Sequence, residues 1–174
     1  PVVVNLSTSS LIDDVAARHG VPVYRTPVGE ANVVERMQAV EAVIGGEGSS
    51  GGMIFPAVQL CRDGFTGMSF FLDLLARTGQ PLSKLVAELP RYHRIMRDLP
   101  FRHGALGPAI LALEEKFPDA RFDRSDGVKI MLEDAWLHLR PSNTEPILRV
   151  AGESRKRDYL EGLIGVAQSL LEAD

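Results

Sequence analysis

The chain has 174 residues, of which 45% are hydrophobic and 24% are charged, and its formal net charge is −4. This composition is that of an ordinary globular protein, with room for one large or two small domains. The acidic balance argues against general binding to nucleic acid or to a membrane surface, so any anion has to be bound locally by clustered donors.

The cysteine content and the absence of long apolar runs indicate a cytoplasmic protein. The single cysteine, Cys61, excludes an internal disulfide and a multi-cysteine metal site, and we expect it to be a small core residue. No apolar run reaches the roughly twenty residues of a membrane helix, and no signal peptide opens the chain. The sequence begins at Pro1, without Met, so we expect it to be a piece of a longer protein.

The N-terminal half alternates strand patterns with amphipathic-helix patterns. The order βαβαβ predicts a sheet with parallel strands, whose ligands belong at the carboxyl ends of the strands. A glycine-rich segment follows the third strand and therefore lies at such an end. In chain order we predict a strand over 2–6, a helix that Ser7 or Thr8 caps and Gly20 stops, and a strand over 21–25. A helix near 31–41 and strands over 42–44 and near 53–55 follow. After a turn at Arg62-Asp63-Gly64, we predict a helix near 66–77 that ends at Gly79 and a short helix from Pro81 to just before Pro90.

After residue 89 the strands follow one another through short turns, which favours an antiparallel sheet with helices on one face. The predicted fold class is α/β then α+β. A βαβ-type mixed-sheet domain covers residues 1–89, and a small domain with an antiparallel sheet packed against helices covers residues 90–174. The second domain is predicted to contain a strand over 92–97, a helix over 105–116, a strand over 128–132, a turn at Glu133-Asp134, strands over 136–140 and 147–150, and a last helix that Ser154 caps.

The residues that follow the strand 136–140 form a candidate phosphate-binding loop. Arg140 begins the string Arg-Pro-Ser-Asn-Thr-Glu-Pro, and Arg149 comes shortly after it. The two arginines offer planar donor forks for phosphate oxygens, and Ser142 and Thr144 add hydroxyl donors. Asn143 tolerates the left-handed turn conformation that directs successive backbone N–H groups at one anion. A polar hairpin connection with two incidental arginines is the alternative.

The glycine-rich segment 45–52, Gly-Gly-Glu-Gly-Ser-Ser-Gly-Gly, is a candidate sugar-binding loop. Glu47 supplies carboxylate acceptors for neighbouring sugar hydroxyls, and Ser49 or Ser50 can donate or accept toward the same ring. The serine doublet leaves open which hydroxyl does so. The glycines let the backbone approach a ligand closely, at an entropic cost when the loop becomes ordered. A flexible connection after a buried strand is the alternative.

Several other polar residues are weaker candidates. We expect Arg62 and the turn 26–29 to be structural rather than to contact a ligand. The histidines show neither metal-ligand spacing nor a nucleophile partner, so we interpret them as surface or strand-packing residues. They are His19, His93, His103 and His138.

The two strings resemble those of one enzyme family, the α-D-phosphohexomutases, which move phosphate between O6 and O1 of an aldohexose. Arg-Pro-Ser-Asn-Thr-Glu-Pro is similar to the C-terminal phosphate-binding loop of that family. Gly-Glu-Gly-Ser-Ser-Gly is similar to the sugar-recognition loop of its third domain, although the usual His is missing. The resemblance covers the whole chain and implies most of the third domain and the fourth. It implies that residues 140–144 hold the phosphate that is not moving and that Glu47, with Ser49 or Ser50, holds the sugar.

The resemblance also implies parts that lie outside this chain. The family's phosphoserine and Mg²⁺ loops belong to its first two domains, in strings of the types Thr-Ala-Ser-His-Asn-Pro and Asp-Gly-Asp-x-Asp-Arg, and neither string occurs here. We therefore expect N-terminal domains of the same protein to supply the phosphoserine and the ligands of Mg²⁺. The expected enzyme is an isomerase acting on a hexose phosphate, and the chain alone is expected to fold without catalysing the reaction.

The identity of the hexose stays open at this point. The glycine-rich loop looks more like that of prokaryotic enzymes for glucosamine phosphate, and of their mannose- and glucose-phosphate relatives, than like that of the animal glucose enzymes. This favours glucosamine phosphate. Two other functions also stay open: a sugar-phosphate-binding module without chemistry, and a nucleotide-binding α/β domain that uses residues 7–10 at a helix N-terminus. The second lacks the glycine pattern of a dinucleotide fold.

Overall fold

The structure is a computed structural model that describes residues 1–48, 52–100, 104, 106–142 and 145–172. It divides into two compact units, unit 1 (Pro1–Arg91) and unit 2 (Tyr92–Asp174). Among the described residues, no helix has the length and apolar character needed to cross a membrane. The described elements of unit 1 are β1 (Val2–Asn5), α1 (Leu11–Arg18), β2 (Val23–Thr26), α2 (Glu30–Ala39), β3 (Ile44–Gly46), β4 (Met53–Phe55), β5 (Gln59–Asp63), α3 (Gly64–Thr78) and α4 (Leu82–Ala87).

Unit 1 is built on a mixed five-stranded sheet in the order β2-β1-β3-β4-β5. β1 pairs in parallel with β2 and β3, whereas β4 and β5 are antiparallel. Every residue of β1 is buried, as expected of a central parallel strand covered on both faces. Helix α2 packs on one face, where Val33 and Met37 contact the core around Val3. The predicted mixed-sheet α/β architecture is confirmed.

The direction of the three parallel strands determines where polar side chains gather. β1 ends at Asn5, β2 ends at Thr26, and β3 ends at Gly46, immediately before Glu47. Because neighbouring parallel strands have their carboxyl ends at the same edge, these residues lie close together although they are distant in sequence. This edge therefore positions the candidate sugar-binding residue.

The predicted turn at Arg62 and Asp63 is wrong, because both residues belong to β5. This edge strand pairs with β4, and most of its residues are exposed, so its sequence carries little hydrophobic alternation. Asp63 instead caps α3 by accepting from the N–H of Phe65 at 2.9 Å. Cys61 lies half-buried in the same strand and is not a core residue.

The predicted cap of α1 by Ser7 or Thr8 is also wrong, because the helix begins at Leu11. The hydroxyl of Thr8 donates to Asn5 Oδ1 at 2.8 Å and accepts from the N–H of Gly48 at 2.9 Å. This residue therefore connects the ends of β1 and β3 instead of capping a helix.

Unit 2 contains a five-stranded antiparallel sheet in the order β6-β10-β9-β8-β7. One face packs against two helices, and the core there includes Leu137, Val150, Leu160 and Leu163. This is the predicted antiparallel sheet packed against helices, and the α+β prediction is confirmed. Its described elements are β6 (His93–Pro100), α5 (Leu106–Lys116), β7 (Arg121–Asp123), β8 (Val128–Met131), β9 (Ala135–Pro141), β10 (Ile147–Ser154) and α6 (Arg157–Glu172).

Strand β10 is twice as long as the predicted strand, which stopped at Val150. Its second half is paired on both sides, with β9 and β6, although it contains Gly152 and other weak strand formers. A Cβ atom at Gly152 would come within 2.8 Å of Leu160 Cδ1, so the glycine lets α6 lie close against the sheet. Ser154 ends this strand, and its hydroxyl accepts from the N–H of Lys156 at 3.0 Å. The predicted cap of the last helix by Ser154 is wrong, because α6 begins only at Arg157.

His138 is a strand-packing residue, as interpreted from the sequence. It is buried in β9, and its Nε2–H donates to the carbonyl oxygen of Asp126 at 2.7 Å. Burial lowers the pKa of His138, and the nearby positive charges of Lys129 and Arg140 act in the same direction, whereas Asp126 opposes them. The ring is therefore neutral in the folded state at neutral pH.

We expect Leu137→Ala to destabilise unit 2 by about 2–5 kcal/mol, because it leaves a cavity at the centre of the core. Leu137 has no exposed surface, whereas Leu111 on α5 is 62% exposed, so Leu111→Ala is the control and should stay within about 0.5 kcal/mol. Trp136, the only tryptophan, lies in unit 2, and its fluorescence during denaturation reports that unit. Equal losses in the two variants would contradict the assigned core.

We expect unit 2 to lose stability as the pH falls below about 6.5, where His138 is protonated in the unfolded chain but not in the folded one. Unfolding then takes up a proton, and the loss is at most about 1.4 kcal/mol per pH unit. His138→Gln keeps a side-chain N–H donor and removes the titration, so its stability should depend less on pH between 5 and 7. The same substitution at the exposed His19 is the control, and an unchanged slope in His138→Gln would contradict the expectation.

Candidate functional site

The carboxylate of Glu47 is buried at the carboxyl edge of the unit 1 sheet, where 5% of the residue remains exposed. Its Oε1 accepts from Asn5 Nδ2 at 3.0 Å and from the backbone N–H of Gly29 at 2.7 Å. These donors come from the end of β1 and from the connection after β2. A buried carboxylate needs such donors, because its desolvation would otherwise be costly.

Arg62 completes this arrangement from the antiparallel side of the sheet. Its Nη1 lies 3.4 Å from Glu47 Oε2, while its Nε donates to Glu30 Oε2 at 2.8 Å. The hydrogen bond with Glu30 and the charge of Glu47 raise the pKa of Arg62, and the same hydrogen bond lowers the pKa of Glu30. Arg62 and the turn 26–29 were expected to be structural, and the described contacts place both around Glu47.

A pocket of about 400 Å³ adjoins Glu47 on one face of the sheet. Its walls are mainly apolar and include Val2, Val4 and Met53, while Thr8 and Glu47 are its polar side chains among the described residues. A ligand there would meet side-chain hydrogen-bonding groups near the carboxyl ends of β1 and β3. Ser49 and Ser50, the other predicted sugar-binding residues, lie outside the described residues.

In unit 2 the antiparallel register brings the two predicted phosphate-binding arginines together. Arg140 on β9 pairs directly with Arg149 on β10, so both side chains lie on the same face of the sheet. Two like charges directly opposite each other are unfavourable without neighbouring acids or a bound anion. The two guanidinium groups therefore lie side by side on one face of the sheet.

Each arginine of this pair has acidic neighbours. Arg140 Nε lies 3.0 Å from Asp126 Oδ2, and the two side chains are 18% and 21% exposed. Arg149 is 44% exposed and makes longer contacts, 3.5 Å to Glu145 and 4.0 Å to Asp98. Arg140 is thus the more firmly held of the two.

One backbone N–H of the candidate phosphate loop has a partner within the hairpin. The backbone N–H of Ser142 donates to the carbonyl oxygen of Ile147 at 2.9 Å, extending the hairpin beyond the pairing of Pro141 with Leu148. This N–H is therefore used within the hairpin rather than directed at an anion. Asn143 and Thr144 lie outside the described residues.

The sequence reasoning missed three residues that hold these side chains in place: Asn5, Glu30 and Asp126. Asn5 could have been noticed as the polar residue that ends the first strand of a parallel sheet. The sequence around Glu30 and Asp126 gives no such indication, because their partners, Arg62 and Arg140, lie on strands that are distant in sequence.

The described residues contain no group of three or more His, Cys, Asp or Glu side chains that could hold a metal ion. The Mg²⁺ that the resemblance implies therefore has no ligand set in that part of the chain.

Two family models match this chain in succession. Residues 1–92 match "Phosphoglucomutase/phosphomannomutase, alpha/beta/alpha domain III", and residues 102–164 match "Phosphoglucomutase/phosphomannomutase, C-terminal domain". The matched ranges include both candidate loops.

Curated relatives and solved structures agree with these matches. A "Phosphoglucomutase/phosphomannomutase" of Thermococcus kodakarensis is 36% identical over 166 residues, which cover 92% of this chain and 36% of the relative. A "Probable phosphoglucosamine mutase" of Methanopyrus kandleri is 33% identical over 180 residues, which cover 98% and 39%. The chain thus spans less than two fifths of these relatives.

Two solved structures share the fold. A putative phosphomannomutase from Thermus thermophilus superposes with a TM-score of 0.74 at 26% identity, covering 98% of this chain and 36% of that one. A phosphoglucomutase/phosphomannomutase family protein from Burkholderia thailandensis gives 0.82 at 21% identity, covering 99% and 37%. The resemblance noted from the two loops is confirmed, and the chain belongs to the phosphoglucomutase/phosphomannomutase family of phosphohexomutases.

Proposed function

We propose that this chain supplies the sugar-binding and phosphate-binding part of a cytoplasmic isomerase that interconverts hexose 6-phosphate and hexose 1-phosphate. The observation that carries the proposal is the directly opposed pair Arg140 and Arg149 beside Ser142, in a family of phosphohexomutases. Two facing guanidinium groups favour an anion with several oxygens. In this proposal residues 1–89 recognise the sugar and residues 90–174 bind the phosphate.

In the proposed reaction this chain would position the sugar phosphate. In the whole enzyme a phosphoserine from the N-terminal domains gives its phosphoryl group to the sugar phosphate, and the bisphosphorylated sugar turns over before the other phosphate returns to the serine. Arg140, Arg149 and Ser142, with Asn143 and Thr144, hold the phosphate that is not reacting. The energy of that contact keeps the other end of the sugar in line for transfer. Mg²⁺, bound outside this chain, would offset charge on the moving group.

Glu47 would recognise the sugar. Asn5, Gly29 and Arg62 hold the carboxylate in place, and in this proposal it accepts from sugar hydroxyls while it keeps that orientation. A carboxylate accepts hydrogen bonds from hydroxyls and repels phosphate. Glu47 is therefore suited to bind the sugar ring and not its phosphates. Ser49 or Ser50 would contact the same ring.

We propose glucosamine phosphate as the hexose. The form of the glycine-rich loop supports this choice, and so does the name of the Methanopyrus kandleri relative. Mannose phosphate and glucose phosphate are the alternatives within the family, and the name of the Thermococcus kodakarensis relative favours them.

We expect Arg140→Ala to weaken binding of glucosamine 6-phosphate to the chain by roughly 1.5–3 kcal/mol, the range for a lost hydrogen bond to a charged group. Isothermal titration calorimetry measures this change. Arg157→Ala, which removes the same charge from an exposed position on α6, is the matched control and should bind like the unaltered chain. Unchanged affinity in Arg140→Ala would show that the loop is an ordinary turn.

We expect the two loops to contribute differently to specificity in the whole enzyme. Glu47→Gln should alter discrimination among glucosamine, mannose and glucose phosphates, because it changes an acceptor that faces the ring. Arg140→Ala should lower kcat/KM by a similar factor for all three, because it faces a group that they share. Steady-state kinetics on the three substrates tests both statements, and a uniform loss in Glu47→Gln would remove the sugar assignment of residues 45–52.

A further inference from the structure

We infer that Asp126 is a positioning residue for phosphate binding, because its carboxylate fixes the guanidinium of Arg140 from one edge and leaves the opposite edge to the anion. This inference rests on the proposed role of Arg140. Asp126 lies in the connection 124–127 between β7 and β8, and Arg140 Nε is 3.0 and 3.1 Å from its two carboxylate oxygens.

The contact uses one edge of the guanidinium. In the described part of the chain, the hydrogen bond from Arg140 to Asp126 is made by Nε. A guanidinium is planar and carries five N–H donors, so a partner on Nε determines the direction of the two terminal nitrogens. Those nitrogens are the pair that binds two phosphate oxygens side by side.

The connection 124–127 is itself held in place. The carboxylate of Asp123 accepts from the backbone N–H of Ser125 at 2.9 Å and from its hydroxyl at 2.6 Å. On the other side His138 donates to the carbonyl oxygen of Asp126 at 2.7 Å. Asp126 is thus attached both to its own turn and to β9, the strand that carries Arg140.

Gly127 brings this connection close to the same strand. Its φ is +66°, and a Cβ atom there would collide with the carbonyl oxygen of Leu139. The glycine therefore permits an approach to the backbone that other residues would prevent. The carboxylate reaches Arg140 because of this approach.

Charge alone predicts the opposite effect of Asp126. A carboxylate beside an anion site repels the anion, so its removal should tighten phosphate binding if the residue acts only through its charge. Positioning predicts weaker binding, because the freed guanidinium loses rotamer entropy when it meets the anion. The sign of the effect therefore separates the two roles.

The test is a titration of the 174-residue chain with inorganic phosphate, followed by NMR. Asp126→Ala and Asp126→Asn remove the same charge, but the amide oxygen of Asn can still accept from Arg140 Nε. We expect the Ala variant to bind phosphate roughly five- to tenfold more weakly than the unaltered chain, and the Asn variant to bind within about twofold of it or more tightly. Equal affinities in the two variants, or tighter binding in Asp126→Ala, would overturn the inference.

Two further measurements exclude a general structural effect. In the Arg140→Ala background the Asn and Ala substitutions should bind phosphate equally, because the group that Asp126 positions is gone. The Nε–H resonance of Arg140 should shift in Asp126→Ala without phosphate, while the fluorescence of Trp136 stays that of the folded unit. A difference between the two double variants, or an unmoved resonance, would count against positioning.

The unaltered chain and Arg140→Ala keep this inference distinct from the proposed function. If the unaltered chain bound no phosphate, or if Arg140→Ala bound it equally well, the phosphate site itself would be wrong and the inference would fall with it. If phosphate binding depends on Arg140 but not on the acceptor at position 126, only the inference fails.

Discussion

A charged side chain that has lost most of its water needs fixed partners, and both candidate loops are arranged around that requirement. In unit 1 the buried carboxylate of Glu47 is met by Asn5, Gly29 and Arg62. In unit 2 the guanidinium of Arg140 is met by Asp126. In each case the group suited to a ligand is held by a neighbour from another strand or connection, so its direction is determined before any ligand arrives.

Sheet topology brings these partners together. Asn5 and Glu47 are 42 residues apart, and they meet because β1 and β3 are neighbouring parallel strands with a common carboxyl edge. Arg140 and Arg149 meet because the hairpin register places them directly opposite each other. A one-residue slip in that register would move one arginine to the other face of the sheet. The two arginines therefore lie together only when the hairpin is paired in this register.

The sequence allowed both architectures to be predicted, and it allowed the family to be recognised from two loops, because these signals are local. The apolar run of β1, the helical spacing of α5 and the string that begins at Arg140 can each be recognised without knowledge of the fold. Strand β5 and the second half of β10 could not, because their residues form strands only through pairing with neighbours. The same reason hid Asp126, because its contact with Arg140 joins the connection between β7 and β8 to β9.

The two arginines differ in how they are held, and this difference affects how an anion would be bound. Arg140 is mostly buried and fixed through Nε, so it loses little rotamer freedom when an anion arrives. Arg149 is nearly half exposed, with longer contacts to Glu145 and Asp98, so it can move to fit the anion but loses more entropy in doing so. Arg140 would therefore fix the position of the anion. Arg149 would adapt to the anion's shape. Under the proposed function, that combination would suit a site that holds a phosphate from either end of a sugar, because the two phosphates would reach the loop from differently shaped parts of the ring.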